Sequence, residues 1–427
     1  MKRRSILIRG ARQLLTLNGP SGPRRGDSLR DLGIIEDGSV LIVDGMISSV
    51  GPTRRIENLA EARSAEEVNA SGRAVLPGFV DSHTHLMSGP GRLTNYRMGV
   101  GEFSGRSPLG DASAFAAACQ YVRNTPAATL EFAAGRYIEA CLRHGTTTIE
   151  IKTGYGLNAA GELKMLRVLA GLNDRCVSVV PTFLGAHAVP PEYFGRNQEY
   201  LAWLCTELLP RLQERRVAQF VDVLCDPEGF SLDETRVYLD AARRLGLAVK
   251  VHAEQNSHTG AARLAVESDA ASVDGLNHAD DTDADLLARS RAVAVLLPGS
   301  VHQGSYSRFP PARMLIRAGV AVALASGFQP AVCSAFNIQM ILSLACTHLG
   351  MTPEEAISAA TINGAHALGR AQRCGSLQFG KDADLIIMNV SDYREIPFYY
   401  GCNLAAAVMR RGEIVYREGA VTCGAAP

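Results

Sequence analysis

The chain carries no excess of charge: 43 Lys and Arg side chains are balanced by 43 Asp and Glu over 427 residues. A surface without a net field gives no electrostatic draw toward nucleic acid or an anionic membrane, so a small neutral or zwitterionic molecule is the expected partner. Paired cysteines are lacking too. Ten cysteines are scattered with no CxxC spacing, which argues against a disulfide framework or a cysteine-rich zinc site and for buried reduced thiols. No apolar run approaches the roughly 18 residues that cross a bilayer. Lys2, Arg3 and Arg4 precede a short apolar stretch in the manner of a secretion signal, but Arg9 interrupts it, so a β-strand in a cytoplasmic protein is the expectation. Internal repeats and low-complexity segments are absent as well.

What is present is a hydrophobic content of 47% and a chain long enough for one large barrel plus an accessory domain. Ser5 to Ile8, Ser39 to Val43 with Asp44-Gly45 as a turn, and Met46 to Gly51 read as short strands. Ala383 to Met388 and a hairpin of Ala406 to Met409 with Ile414 to Tyr416 repeat that style at the other end. The two ends are expected to pair as one composite β-sandwich domain, 1–75 with 373–427. Between them, 76–372 alternates short β-branched segments with amphipathic stretches such as Ala128 to Arg143, Glu162 to Leu172 and Leu232 to Leu245. Eight strands are predicted: Gly78–His85, Thr146–Lys152, Val177–Leu184, Gln219–Cys225, Ala248–His252, Val273–His278, Ala292–Leu297 and Val320–Ala325. Eight such βα units make an α/β fold of the TIM (β/α)8 type, whose chemistry sits just after the strands.

His83 and His85 end the first of these strands. Strand side chains alternate faces, so the two imidazoles point the same way and can share one metal ion. His252 ends the fifth strand and His278 the sixth, a set that packing alone does not account for. The segment Val75 to His85 resembles the metal-binding stretch of the amidohydrolase superfamily. Lys152 to Leu157, Thr182 to Pro190, Asp222 to Cys225, His252 to Gln255, Leu296 to Gly299, and Ala360 to Asn363 before Ala367 to Gly369 narrow the likeness to the imidazolonepropionases of histidine degradation. The resemblance covers nearly the whole chain. It implies a distorted (β/α)8 barrel with a composite β domain, one divalent metal ion, zinc or iron, and opening of the cyclic amide of 4-imidazolone-5-propanoate to N-formimidoyl-L-glutamate. A homodimer is compatible with it.

The resemblance assigns His83, His85 and His252 as metal ligands. It also exposes a departure: the family's Ser/Thr-Asp-Phe-Asn-Pro segment reads Ser326-Gly327-Phe328-Gln329-Pro330 here. Gly327 therefore stands where an aspartate ligand and proton acceptor is expected. Three neutral histidines remain a competent ligand set. For the missing base the candidates are His278 first, then Glu254, which faces the metal side if its strand continues beyond His252, and Asp280. Arg92 matches the family's substrate arginine, suited to a propionate carboxylate. Tyr155, His187 and Gln255 are expected as further substrate-binding residues. The segment Leu93 to Phe103 and the spacing before His278 also depart from the family pattern. These changes keep two alternatives open: a hydantoin or thio-substituted analogue with the same tail as substrate, and an inactive metal- or metabolite-binding relative. His144, His258, His348 and His366 are expected to be structural, with His302 able to face the barrel mouth.

Overall fold

The computed structural model of the protein describes residues 4–89, 112–227, 229–303, 308–330 and 333–421. Arg92 and Leu93 to Phe103 lie outside the described residues. The chain opens with a long strand, β1 (Ser5–Leu15), followed by β2 (Ile34–Val43) and β3 (Met46–Pro52). β1 and β2 are antiparallel with Ser5 opposite Val43, and β2 turns into β3 at Asp44-Gly45. Both turn residues have positive φ, 50° and 79°, the geometry that matches a two-residue hairpin to the twist of its strands. β4 (Glu66–Asn69) and β5 (Ala74–Pro77) both run parallel to β1.

Gly78 separates this sheet from the barrel. Eight parallel strands follow: β6 (Phe79–Asp81), β7 (Thr146–Lys152), β8 (Ser178–Ala186), β9 (Phe220–Leu224), β10 (Ala248–Ala253), β11 (Ser272–Gly275), β12 (Val293–Leu296) and β13 (Val322–Leu324). Each pairs with the next in order. The ring is closed just beyond β6 and β13, where Thr84 bridges Phe328. There the His85 N–H donates to Phe328 O at 2.7 Å and the Gly327 N–H donates to His83 O at 3.2 Å. The metal-ligand segment is thus itself the barrel's seam. Predicted helices form at Ala127–Arg143, Ala159–Leu172 and Leu232–Arg244, the last started by a reciprocal capping box between Ser231 and Glu234.

The chain's end returns to the first sheet. β14 (Leu385–Met388) lies antiparallel to β5, with Leu385 opposite Pro77, and β15 (Ala405–Arg410), β16 (Glu413–Arg417) and β17 (Ala420–Val421) extend the edge. Both termini thereby build one nine-stranded mixed sheet with its own apolar core, in which Ile6, Ile8 and Val40 pack with Leu385, Ile387 and Met409. At Gly145 (φ +101°) a Cβ would lie 2.5 Å from Ile386 Cδ1, so only glycine lets the barrel approach the composite sheet this closely.

No helix among the described residues is long and apolar enough to cross a membrane. Eight described cysteines are free, but Cys176 is disulfide-bonded. That corrects the expectation of reduced thiols throughout: disulfide partners are brought together by the fold, so the absence of a short Cys spacing does not exclude them.

Asn363 shows how the segment matching the family at Ala360 to Asn363 acts structurally. Fully buried, it accepts from Arg24 N at 2.7 Å and donates to Arg24 O at 2.9 Å and Val322 O at 2.7 Å. One amide thus ties the N-terminal segment to the last barrel strand. Asn363→Leu would leave three buried backbone groups unsatisfied, so a loss of about 2–4 kcal/mol is expected, read as a lowered urea midpoint. An unchanged midpoint would refute this role.

Candidate metal centre

β6 stops at Asp81, yet the next four residues stay extended because they are bonded on both sides. Lys152 N–H donates to Thr84 O at 2.9 Å and Thr84 Oγ1 donates to Glu150 O, while the seam to Phe328 holds the other edge. His83 and His85 consequently share a face, their Nε2 atoms 3.1 Å apart. His252, on β10, brings its ring centroid to 4.4 Å from His83 and 6.4 Å from His85. All three are buried. Burial pushes the His83 and His85 imidazoles well below the usual histidine range, with Lys152 adding to the effect. Neutral imidazole is the ligating form.

Two of the rings have a hydrogen-bond partner at the other nitrogen, and the third faces a carboxylate there. His83 Nδ1 lies 2.7 Å from Asp274 Oδ2, His85 Nδ1 3.3 Å from the Tyr155 hydroxyl, and His252 Nδ1 3.5 Å from Asp222 Oδ2. The His252 Nδ1 atom is buried without a hydrogen-bond partner among the described residues. Outer partners of this kind fix the tautomer and aim the remaining nitrogen inward. Ligand atoms of His83, His252 and Asp274 all lie within 4.8 Å of one another. The short contact of Asp274 is to Nδ1, however, while Nε2 of His83 faces His85. We therefore read Asp274 as orienting a ligand rather than as one.

Beneath the histidines runs a sealed ion network. Lys152 Nζ lies 2.6 Å from Asp222, 3.0 Å from Glu150 and 3.4 Å from Asp274, and Lys250 Nζ lies 2.7 Å from Glu150 and 3.7 Å from Asp274. All five side chains are fully buried. Burial alone would raise the Asp222 and Asp274 carboxyls and lower the Lys152 ammonium; their mutual attraction outweighs it and holds all three charged. Three acidic side chains against two lysines leave acidic groups in excess beneath the imidazoles. The donor set and the field both fit a divalent cation.

None of these charged residues was assigned a role from sequence, although Lys152 and Asp222 stood inside matched segments. The signal was there: Glu150 with Lys152, and Lys250 with His252, repeat charge at period two inside otherwise apolar strands, the spacing that points both side chains to one face.

The rim above the histidines is built by loops. Glu162, buried in the helix after β7, accepts from the N–H groups of Gly154 (3.0 Å), Gly156 (2.8 Å) and Leu157 (2.8 Å). This pins the loop that carries Tyr155. Tyr155 and His187 are both buried, with ring centroids 5.5 Å apart and the Phe115 ring 5.6 Å from His187. His187 Nε2–H donates to Gly154 O at 2.5 Å. Gln255 is 6% exposed, and its side-chain amide has no hydrogen-bond partner among the described residues.

Four sequence expectations change. Glu254 does not continue its strand: β10 ends at Ala253 and Glu254 takes φ +51°. Its carboxylate turns away to accept from Thr259 N at 2.5 Å and Ala262 N at 3.0 Å, so it anchors the next loop and is not placed as a base. Asp280 caps a helix, accepting from Asp283 N at 3.0 Å. β11 ends at Gly275 (φ +99°), and Leu276 (φ +61°) turns the chain. His278 lies beyond that turn, half-buried, and no ring contact or hydrogen bond joins it to the three histidines among the described residues. His302 is exposed and meets the Tyr400 hydroxyl at 3.3 Å rather than the mouth.

Gly327 adopts φ +65°, and a Cβ there would lie 2.5 Å from Ser300 Oγ. The space where a side chain would begin is filled by a neighbouring hydroxyl.

Fold and site together define a barrel hydrolase that gathers histidines at the ends of its strands. Residues 74–415 match the amidohydrolase family, to which this chain belongs. Its curated relatives carry a narrower name. Imidazolonepropionase of Solibacter usitatus is 42% identical over 96% of this chain and 98% of its own length, and that of Geobacillus kaustophilus is 40% identical over 98% and 99%. Among solved structures, a zinc-bound adenosine deaminase from Xanthomonas campestris superposes with a TM-score of 0.69 over 98% of this chain and 94% of its own, at 17% identity. That likeness concerns the fold alone.

Two outcomes follow. Gly327→Asp should destabilise by about 1–3 kcal/mol through overpacking and left-handed strain, and adding Ser300→Gly should recover most of it. Equal melting temperatures for Gly327→Asp and wild type would contradict the crowding. Burial pushes the His187 imidazole down to about 4, against about 6.5 in the unfolded chain. Folding therefore excludes a proton that the unfolded chain binds, so stability present above pH ~6.5 declines as pH falls toward ~4, by on the order of 1 kcal/mol per unit. Urea unfolding of metal-free protein should show a shallower decline in His187→Asn than in wild type.

Proposed function

We infer that the chain is an imidazolonepropionase that hydrolyses 4-imidazolone-5-propanoate to N-formimidoyl-L-glutamate. The observation that carries this is the convergence of His83, His85 and His252, the first two hydrogen-bonded at Nδ1 and the third facing the Asp222 carboxylate at 3.5 Å, in a chain about 40% identical to imidazolonepropionases along nearly its whole length. These three imidazoles would hold one zinc or iron ion, since their chemistry suits either. Such an ion supplies Lewis acidity, polarising a carbonyl and acidifying water at neutral pH.

The remaining work falls to the chain's own groups. If His85 held the ion through Nε2, its Nδ1–H would donate to the Tyr155 oxygen 3.3 Å away. Tyr155, His187 and the amide of Gln255 form the polar wall that reads the ring, and Arg92 takes the propionate. His278, whose ring has no hydrogen-bond partner among the described residues, is the group we assign to proton transfer. Water adds to the ring carbonyl, the carbon–nitrogen bond breaks, and the departing nitrogen takes the proton.

Gly327 favours a second reading, hydrolysis of another five-membered ring such as a hydantoin or thio-analogue carrying the same tail, because a site without that carboxylate meets its substrate differently. The test is metal content of the full-length protein, with turnover of imidazolone propionate and hydantoin propionate compared. About one bound metal and preferential turnover of the imidazolone is the expected result, with His278→Gln lowering kcat by about 10²- to 10⁴-fold at similar KM. Preference for the hydantoin would install the second reading, and protein that binds no metal would sink the hydrolase assignment.

A further inference from the structure

Two carboxylates stand within reach of the histidine cluster, yet both are turned to the outer edges of the rings. Asp274 is held by Ser272 Oγ at 2.6 Å on one oxygen and by His83 Nδ1 at 2.7 Å on the other. Asp222 has one oxygen on the neighbouring Val223 N–H at 2.8 Å, and the other faces Lys152 at 2.6 Å and His252 at 3.5 Å. A single group touches both carboxylates: the Lys152 ammonium, fully buried on β7. Lys250 reaches Asp274 only at 3.7 Å and is engaged more closely by Glu150.

We propose that Lys152 is a positioning residue of the metal centre, a cationic clamp whose one ammonium holds Asp222 and Asp274 on the outer edges of His252 and His83 and so keeps both carboxylates out of the ligand set. The inference rests on the metal-centre reading above. Ligand atoms of Asp274, His83 and His252 already lie within 4.8 Å of one another. An unclamped Asp274 that let go of His83 Nδ1 would be free to swing past the ring toward the ion, and carboxylate is a ready ligand for a divalent cation. The clamp makes three neutral imidazoles a stable arrangement rather than one that collapses onto the nearest anion. Second-shell groups commonly tune a metal site in this way.

The test uses full-length protein loaded with cobalt(II), whose visible absorption is intense when four-coordinate and severalfold weaker when a further ligand binds. Wild type is expected to give the intense spectrum and Lys152→Met the weak one, with Asp274→Asn added to Lys152→Met restoring intensity. Should Lys152→Met fail to fold because of its unbalanced buried charge, Lys152→Met with Asp222→Asn restores the balance while still freeing Asp274, and the same loss of intensity is expected. A folded variant with an unchanged spectrum, or a loss that Asp274→Asn does not reverse, overturns the clamp and leaves the metal reading intact. If neither variant folds, Lys152 serves the fold and the inference falls. Wild type that takes up no cobalt overturns the metal reading itself and this inference with it.

Discussion

Everything at the mouth of this barrel depends on how its interior accommodates three acidic side chains away from water. Glu150, Asp222 and Asp274 are sealed among strands, where an isolated charge costs several kcal/mol. Lys152 and Lys250 offset that cost, and removing either lysine would strand an anion. Buried ion pairs are weak evidence for stability as such, since apolar residues of the same volume often do as well. Their use here is directional. Asp222 and Asp274 stay anionic, and anionic groups at Nδ1 are what turn His83 and His252 toward a common point.

The seam of the barrel serves the same end. In most of the ring, neighbouring strands are joined along several residues, but β6 and β13 are short, with 3 residues each. Closure is completed beyond them by the backbone of His83 to His85 against Gly327 and Phe328. The residues that present the imidazoles are therefore the residues that close the fold. A chain that fails to close its barrel cannot hold its histidines, and one that misplaces the histidines loses the closing bonds. The left-handed φ of Gly327 belongs to this seam, because its N–H must turn back to His83 O. Glycine takes that conformation without strain, and Ser300 has settled into the space left free.

Much of this was legible in the chain. Thr146–Lys152 matches its predicted bounds residue for residue, and the other barrel strands lie within or close to theirs, because short β-branched runs between amphipathic helices leave little freedom in a parallel sheet. Asp44-Gly45 marked its hairpin correctly for the same local reason. Legibility failed where the backbone left regular geometry. Alternation along a strand predicted that Glu254 would share a face with His252, but one residue with positive φ breaks the alternation and sends the carboxylate to Thr259 and Ala262. Leu276, also at positive φ, turns the chain before His278, so the predicted strand to His278 is cut short at Gly275. Positive φ at a non-glycine residue leaves no trace in hydrophobic pattern, so ends of strands, where chemistry sits, are the places pattern reading serves least.

The buried network failed to be read for a different reason. A charged residue inside a buried strand looks like an error of strand assignment until its partners are known, and two of the three partners of Lys152 lie 70 and 122 positions further along the chain. Only the barrel's parallel register places β7, β9 and β11 so that they look across one interior. Yet the network follows a pattern that sequence reading can use: four of its five charged members sit two residues from another inward polar group, Glu150 from Lys152, Lys250 from His252, Asp274 from Ser272, and only Asp222 does not. Polar residues at period two within buried parallel strands therefore mark the inner face of a barrel. Since a buried charge requires an opposite one, finding Lys152 and Lys250 in such positions already demands carboxylates on neighbouring strands. The orientation of the metal-binding histidines is thus a consequence of charge neutrality inside the barrel, and it can be argued before any site is recognised.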